Sequence, residues 1–188
     1  MRIITGKFKR KELASVPGNT ARPTTDFMRE VIFSVLTSCS EEKVLDIFAG
    51  SGSLGFEALS RGAAFVDFVD FSVKSISTII KNAERLNCTD QCKIHRRKVG
   101  VFLQSCETKY DLIFMDPPYN HDLVNKTIAA VFGKELLSPQ GRLVVEHSAQ
   151  EPIAAEWQEQ IEYQREGKNT QITILKNQES NEMEKDIK

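Results

Sequence analysis

Cysteine is scarce in this chain, with four among 188 residues. Cys39 and Cys106 stand alone, and Cys88 and Cys92 make one C-x3-C with no second pair. That spacing supplies neither a disulfide framework nor the ligand count of a zinc site. Reduced thiols are the expectation. His95, His121 and His147 show no ligand spacing either, so no metal is expected. No stretch approaches the ~18 consecutive apolar residues of a membrane span. The opening M-R-I-I-T-G-K-F-K-R lacks the apolar core of a secretory signal. A cytoplasmic location is expected. The chain has no internal repeat and no low-complexity segment, and its net charge is only −1.

The composition is that of a globular domain, 40% hydrophobic and 27% charged. One domain over 1–176 is expected, followed by a polar, disordered tail over 177–188. The charge is unevenly spread. Residues 1–29 carry seven basic residues (Arg2, Lys7, Lys9, Arg10, Lys11, Arg22, Arg29) against two acids. A basic front end of this kind suits phosphate contact. Residues 1–21 read as an extended arm or short strand pair with a turn at Pro17-Gly18-Asn19.

Regular alternation follows. A helix capped by Thr24 or Thr25 carries Met28, Val31, Ile32 and Val35 on its apolar stripe. Strands are expected at 44–48, 65–69, 92–96, 110–115 and 142–146. Helices are expected at 54–60, 72–86 (with Val73, Ile76, Ile79, Ile80 and Ala83 apolar) and 121–137, plus a short one near 101–103. A closing antiparallel pair is expected near 157–164 and 170–176. Strands alternating with helices define an α/β chain with a parallel sheet covered on both faces.

The strand at 44–48 runs into Ala49-Gly50-Ser51-Gly52-Ser53-Leu54-Gly55. Glycines permit a tight turn and close backbone approach to a ligand, and the following helix start offers free N–H groups. The Gly-Lys-Ser/Thr ending of a phosphate-binding P-loop is absent. Asp46 lies inside the strand, where a buried carboxylate needs a partner. Asp70 closes the next strand, where an acid can accept ribose hydroxyls. Asp70 fits a dinucleotide as well as a methyl donor; Asp46 and the motif downstream favour the methyl donor.

That motif is Asp116-Pro117-Pro118-Tyr119, after the apolar run Y-D-L-I-F-M. It falls at a strand's carboxyl end, where open α/β sheets bind ligands. Two prolines fix two φ angles and remove two donors, leaving rigidly aimed carbonyls. An acid and a fixed carbonyl can accept both hydrogens of a planar amino group, and a tyrosine ring can stack on the base carrying it. This is equipment for methylating an exocyclic amine on a nucleobase.

The segment L-D-I-F-A-G-S-G-S-L-G-F-E-A-L-S-R-G-A (45–63), the opening R-I-I-T-G-K-F-K, R-P-T-T-D-x-x-R-E (22–30) and D-L-I-F-M-D-P-P-Y together resemble the bacterial RsmD family. These are guanine-N2 methyltransferases of 16S ribosomal RNA. The resemblance covers 1–176 and implies a class I S-adenosylmethionine-dependent methyltransferase fold. That fold has a seven-stranded, mostly parallel sheet, here with a small N-terminal arm. It implies S-adenosyl-L-methionine held by Asp46, Phe48, Ala49, Gly50, Ser51, Gly52, Asp70 and Thr25. It implies catalysis by Asp116, Pro117, Pro118 and Tyr119. The substrate would be 16S rRNA, within a small-subunit assembly intermediate or free, gripped by Arg2, Lys7, Lys9, Arg10, Arg22 and Arg29. Arg10 stands where the family usually has glycine, and Phe27 where it usually has arginine.

Three other readings compete, the third being a dehydrogenase, which D-P-P-Y disfavours. D-P-P-Y also serves adenine-N6 and cytosine-N4 methylation of DNA, although no further target-recognition domain is visible. A non-catalytic S-adenosylmethionine-binding module would keep the cofactor pocket, but intact Asp46, Asp70 and Asp116 argue against it. Nothing in the sequence asks for an obligate dimer, and a monomer is expected.

Overall fold

The computed structural model describes residues 1–18, 26–167 and 170–177. Helix α1 (Asp26–Leu36) buries Val31, Ile32, Phe33 and Leu36, while Val35 is half-buried. Thr24 and Thr25, expected to cap it, lie outside the described residues. Strand β1 (Lys43–Ile47) is apolar except for Asp46, and Val44, Leu45 and Ile47 have no exposed surface. A strand buried on both faces reads as a continuous apolar run. Each such side chain contributes about 1.5–3 kcal/mol through removal from water. Helix α2 (Ser53–Ser60), β2 (Phe65–Asp70), α3 (Val73–Leu86) and β3 (Cys92–Arg96) follow. β1 pairs with β2 and β2 with β3, both parallel. Helices α2 and α3 pack on these strands.

Helix α3 departs from its expected face. Val73 and Ile80 are exposed, and the buried side holds Ser75, Thr78, Ile79, Asn82, Ala83 and Leu86. Its inward surface meets loop and arm backbone as well as core, and polar side chains are needed to satisfy that backbone.

The later part begins with α4 (Val99–Ser105) and β4 (Tyr110–Met115). Helix α5 runs only Val124–Gly133, because residues 120–123 form a turn in which Asn120 and Asp122 adopt left-handed φ values of 61° and 52°. Strand β5 (Leu137–Ser148) is longer than expected and includes Ser138-Pro139. A 3-10 helix (Ala155–Gln160) takes the place of the first half of the expected strand near 157. Strands β6 (Ile161–Glu166) and β7 (Thr170–Lys176) form the antiparallel pair. β4 and β5 are parallel; β5 and β7 are antiparallel.

Contacts divide the chain into two units, 1–99 and 100–188. The strand order of the seven-stranded sheet is β3-β2-β1-β4-β5-β7-β6. This mostly parallel sheet with interleaved helices is the class I methyltransferase fold. Among the described residues no helix is long and apolar enough to cross a membrane.

The N-terminal arm is docked, not free. Arg2 and Glu12 form an antiparallel bridge. The buried Glu57 of α2 accepts N–H bonds from Ile4 at 2.8 Å and Thr5 at 3.0 Å, and pairs with Arg61 at 2.9 Å. Ser60 accepts from the N–H of Phe8 at 2.9 Å. Gly6 lies so close to the Ser60 carbonyl that no side chain fits there.

Candidate functional site

In the first unit the loop after β1 turns through three left-handed residues, Phe48, Gly50 and Gly52. Gly52 also N-caps α2 and has no side chain to offer its first amides. Asp46 supplies the acceptor instead: its Oδ2 takes the Gly55 N–H at 3.0 Å. A carboxylate at a helix N-terminus is favoured by the free amides and the dipole. Asp46 is nevertheless 3% exposed, and burial pushes its carboxyl up to about 8, with the Gly55 bond opposing and the charge of Asp70 adding. Gly55 is fixed by packing, since a Cβ there would run into the ring of Phe68.

Asp70 spans two loops. Its Oδ2 accepts the Gly50 N–H at 2.9 Å and its Oδ1 the Ser72 N–H at 2.8 Å. Each oxygen keeps a second lone pair for a hydroxyl. Phe71, next in sequence, is 65% exposed, an open aromatic face beside the acid. Asn82 closes the loop from behind, its Nδ2 donating to the Ser51 carbonyl at 3.0 Å. Sequence reasoning missed both Phe71 and Asn82. The adjacency of Phe71 to Asp70 was a usable signal, whereas Asn82 had none beyond being polar on an apolar helix face. Asp46, Phe48, Ala49, Gly50, Ser51, Gly52 and Asp70 are thus gathered around one loop. Thr25 lies outside the described residues.

A Cβ at Gly50 would meet only the Phe48 carbonyl, at 4.0 Å; that room and the unspent acceptor capacity on Asp70 fit a ribose-bearing ligand, and the acid of Asp46 fits a cationic one.

In the second unit, β4 delivers Asp116, half-buried, to Pro117, Pro118 and Tyr119. Tyr119 is 37% exposed, and its hydroxyl donates to Glu146 Oε1 at 3.1 Å. Burial first, then the charges of Glu146 and Asp116, hold the phenol above its ordinary ionisation range. The buried Glu151 accepts the N–H groups of Asn120 at 3.1 Å and Val124 at 2.9 Å, tying the turn after the motif to the start of α5. Next to Glu146, His147 is buried and its pKa lowered by desolvation, so it is a neutral structural link. Its Nδ1–H faces two carbonyls and its Nε2 accepts from Thr173. Glu146 and Glu151 come from 27 or more residues downstream of the motif's residues, and nothing in the local pattern announced them.

The basic residues sort into two groups. Arg2, Lys7, Lys9, Arg10 and Lys11 are exposed. Arg10 holds a left-handed φ of 69°, a conformation glycine adopts without cost. Arg29 is a correction: it is fully buried, ion-paired with Asp26 at 2.6 Å and bonded to the Arg2 carbonyl at 2.8 Å. A guanidinium without accessible surface does not grip RNA; it fastens the arm to α1. Arg22 lies outside the described residues. Among the described residues no group of three or more His, Cys, Asp or Glu is placed to hold a metal.

Fold and loop geometry together define a class I methyltransferase scaffold. The chain belongs to the family described as Conserved hypothetical protein 95, whose model matches residues 1–176, and this is the RsmD family that the motifs resemble. It is 35% identical to Ribosomal RNA small subunit methyltransferase D of Buchnera aphidicola over 153 residues, 80% of each chain. It is 30% identical to the protein of that name from Escherichia coli, covering 84% of this chain and 81% of the other. A solved Escherichia coli structure named "Putative methyltransferase yhhF" superposes with a TM-score of 0.83 at 29% identity, over 94% of this chain and 97% of that one.

Proposed function

We propose that this protein transfers a methyl group from S-adenosyl-L-methionine to the exocyclic N2 of a guanine in the 16S rRNA of the small ribosomal subunit. The observation that carries the reading is Asp116-Pro117-Pro118-Tyr119 at the end of a buried parallel strand, in a chain whose relatives are named for small-subunit rRNA methylation.

The cofactor supplies an electrophilic methyl on a sulfonium. Asp70 would accept from its ribose, the loop 48–52 would hold it, and Asp46 would answer the charge of its amino acid part. The guanine N2 lone pair is delocalised into the ring. Asp116 and the Pro117 carbonyl accept hydrogen bonds from the amino group and turn that lone pair out of conjugation, while Tyr119 stacks on the extruded base. Orientation and preorganised electrostatics do the work, with no covalent enzyme intermediate. The nitrogen becomes acidic only as the bond forms, so no strong base is needed. The exposed arm residues hold phosphates and set register without reading sequence.

The test is transfer of labelled methyl to small subunits and rRNA lacking the modification, with duplex DNA alongside, followed by nucleoside analysis. N2-methylguanosine from RNA, lost in Asp116→Ala while S-adenosylhomocysteine still binds, is the expected result. Label confined to DNA adenine or cytosine would replace the substrate assignment.

A further inference from the structure

Glu146 sits in an apolar stretch of β5 and is 5% exposed. A carboxylate in such a place is costly and needs polar company. The register between β4 and β5 ends at Met115 opposite Val145, so Asp116 is the first residue past β4 and Glu146 the next residue of β5. Tyr119, three residues beyond Asp116, returns over this end of the sheet. Its hydroxyl lies 3.1 Å from Glu146 Oε1 and 3.3 Å from Thr170 Oγ1 of β7. An ionised carboxylate only accepts, so the phenol donates to Glu146 and its oxygen is left to accept from the threonine. The chain end of the ring is set by two prolines, and the turn beyond is anchored on Glu151. The far end is held by two strands, and the residue as a whole is still 37% exposed.

We propose that Glu146 is a positioning residue, which holds the Tyr119 ring in the plane that a captured nucleobase stacks against. This rests on the methyltransferase reading above. A tyrosine free to rotate about two side-chain bonds would have to be ordered each time a base arrives. With its hydroxyl fixed, that entropy is lost on folding and not during the reaction. Glu146 acts through Tyr119, not on the base.

The test is a double-mutant cycle on single-turnover methyl transfer to unmodified rRNA or small subunits. It uses Tyr119→Phe, Glu146→Met (similar in volume, without an acceptor), the double variant and Glu146→Gln, whose amide oxygen still accepts. The expected result is a loss of roughly tenfold in each of Tyr119→Phe and Glu146→Met, in line with small misplacements of reacting partners. KM for S-adenosylmethionine should stay unchanged, and the double variant should be no slower than the slower single. Glu146→Gln should stay within about twofold of wild type, because its acceptor is retained. Additive losses in the cycle would overturn the inference. So would wild-type rates in Glu146→Met or Tyr119→Phe, or Glu146→Gln as slow as Glu146→Met, which would place the carboxylate on the substrate. If Glu146→Met fails to fold, Tyr119→Phe and Glu146→Gln decide alone: the first must be slow and the second fast. No transfer by the wild-type protein to any RNA overturns the reading itself and this inference with it. An active wild type with an additive cycle overturns only the role of Glu146.

Discussion

Asn82 donates from its side-chain amide to the carbonyl of Ser51, 3.0 Å away, and so joins helix α3 to the centre of the glycine loop. The same amide accepts from the N–H of Ala14 at 2.8 Å and donates to its carbonyl at 3.2 Å. One buried side chain thus serves loop and arm together.

Asn82→Ala removes that link and strands three backbone groups. Stability should fall by on the order of 3 kcal/mol, given the cost of unsatisfied buried partners. S-adenosylhomocysteine should bind more weakly because the loop loses its rear support. Chemical denaturation and calorimetric titration check the two effects.

Asp46 gives the unliganded protein a defined pH dependence. Its folded-state pKa is raised from 3.8 to about 8, so the native state holds the proton more tightly than the unfolded chain. Its contribution is complete below about pH 4 and is lost as pH climbs to about 8. Denaturation midpoints across that window should fall with rising pH, and Asp46→Asn should flatten the slope. Binding of a cationic ligand group near Asp46 at pH 7 should release about one proton. Titration calorimetry in two buffers of different ionisation enthalpy reads this directly.

Gly55→Ala should destabilise by about 1–3 kcal/mol, the usual cost of forcing extra volume into packed structure. The obstacles are the Phe68 ring first and the Val66 side chain after it. Phe68→Leu in the same chain should recover part of the loss, as thermal unfolding would show.

Salt dependence separates the exposed basic residues from the buried one. If Lys7, Lys9 and Lys11 each neutralise a phosphate, replacing one by alanine should reduce the slope of log K against log salt by roughly 0.7–0.9. Arg29→Met should lower the melting temperature by removing one of the arm's anchors, the bond to the Arg2 carbonyl. Measuring RNA affinity at several salt concentrations beside a melting curve distinguishes the two.

The strands and the turns that follow them were legible because their signals are local. Apolar runs marked β1 and β4, and Asp116 to Tyr119 announced itself in four residues. What escaped depends on distant partners. Arg29 resembled the other basic residues of 1–29 until its neighbours were known; its pairing with Asp26 and the Arg2 carbonyl decides its role. Val73 and Ile80 fitted a helical period, yet the inward face of α3 had to satisfy backbone at Ala14 and Ser51 and took Asn82. The start of α5 was misjudged because residues 120–123 are held as a turn by Glu151, a carboxylate 31 residues beyond Asn120.

The docking of the arm on Glu57 has a consequence for the order of folding. Ile4 and Thr5 find their acceptor 53 and 52 residues along the chain, and Ala14 finds Asn82 at a separation of 68. Closing loops of that length is slow compared with forming a helix. During synthesis, which runs from the N-terminus, the basic segment emerges before any of its anchors. It stays undocked until α2 and α3 have been made, so a segment that precedes all of its anchors is among the last of its unit to find its place.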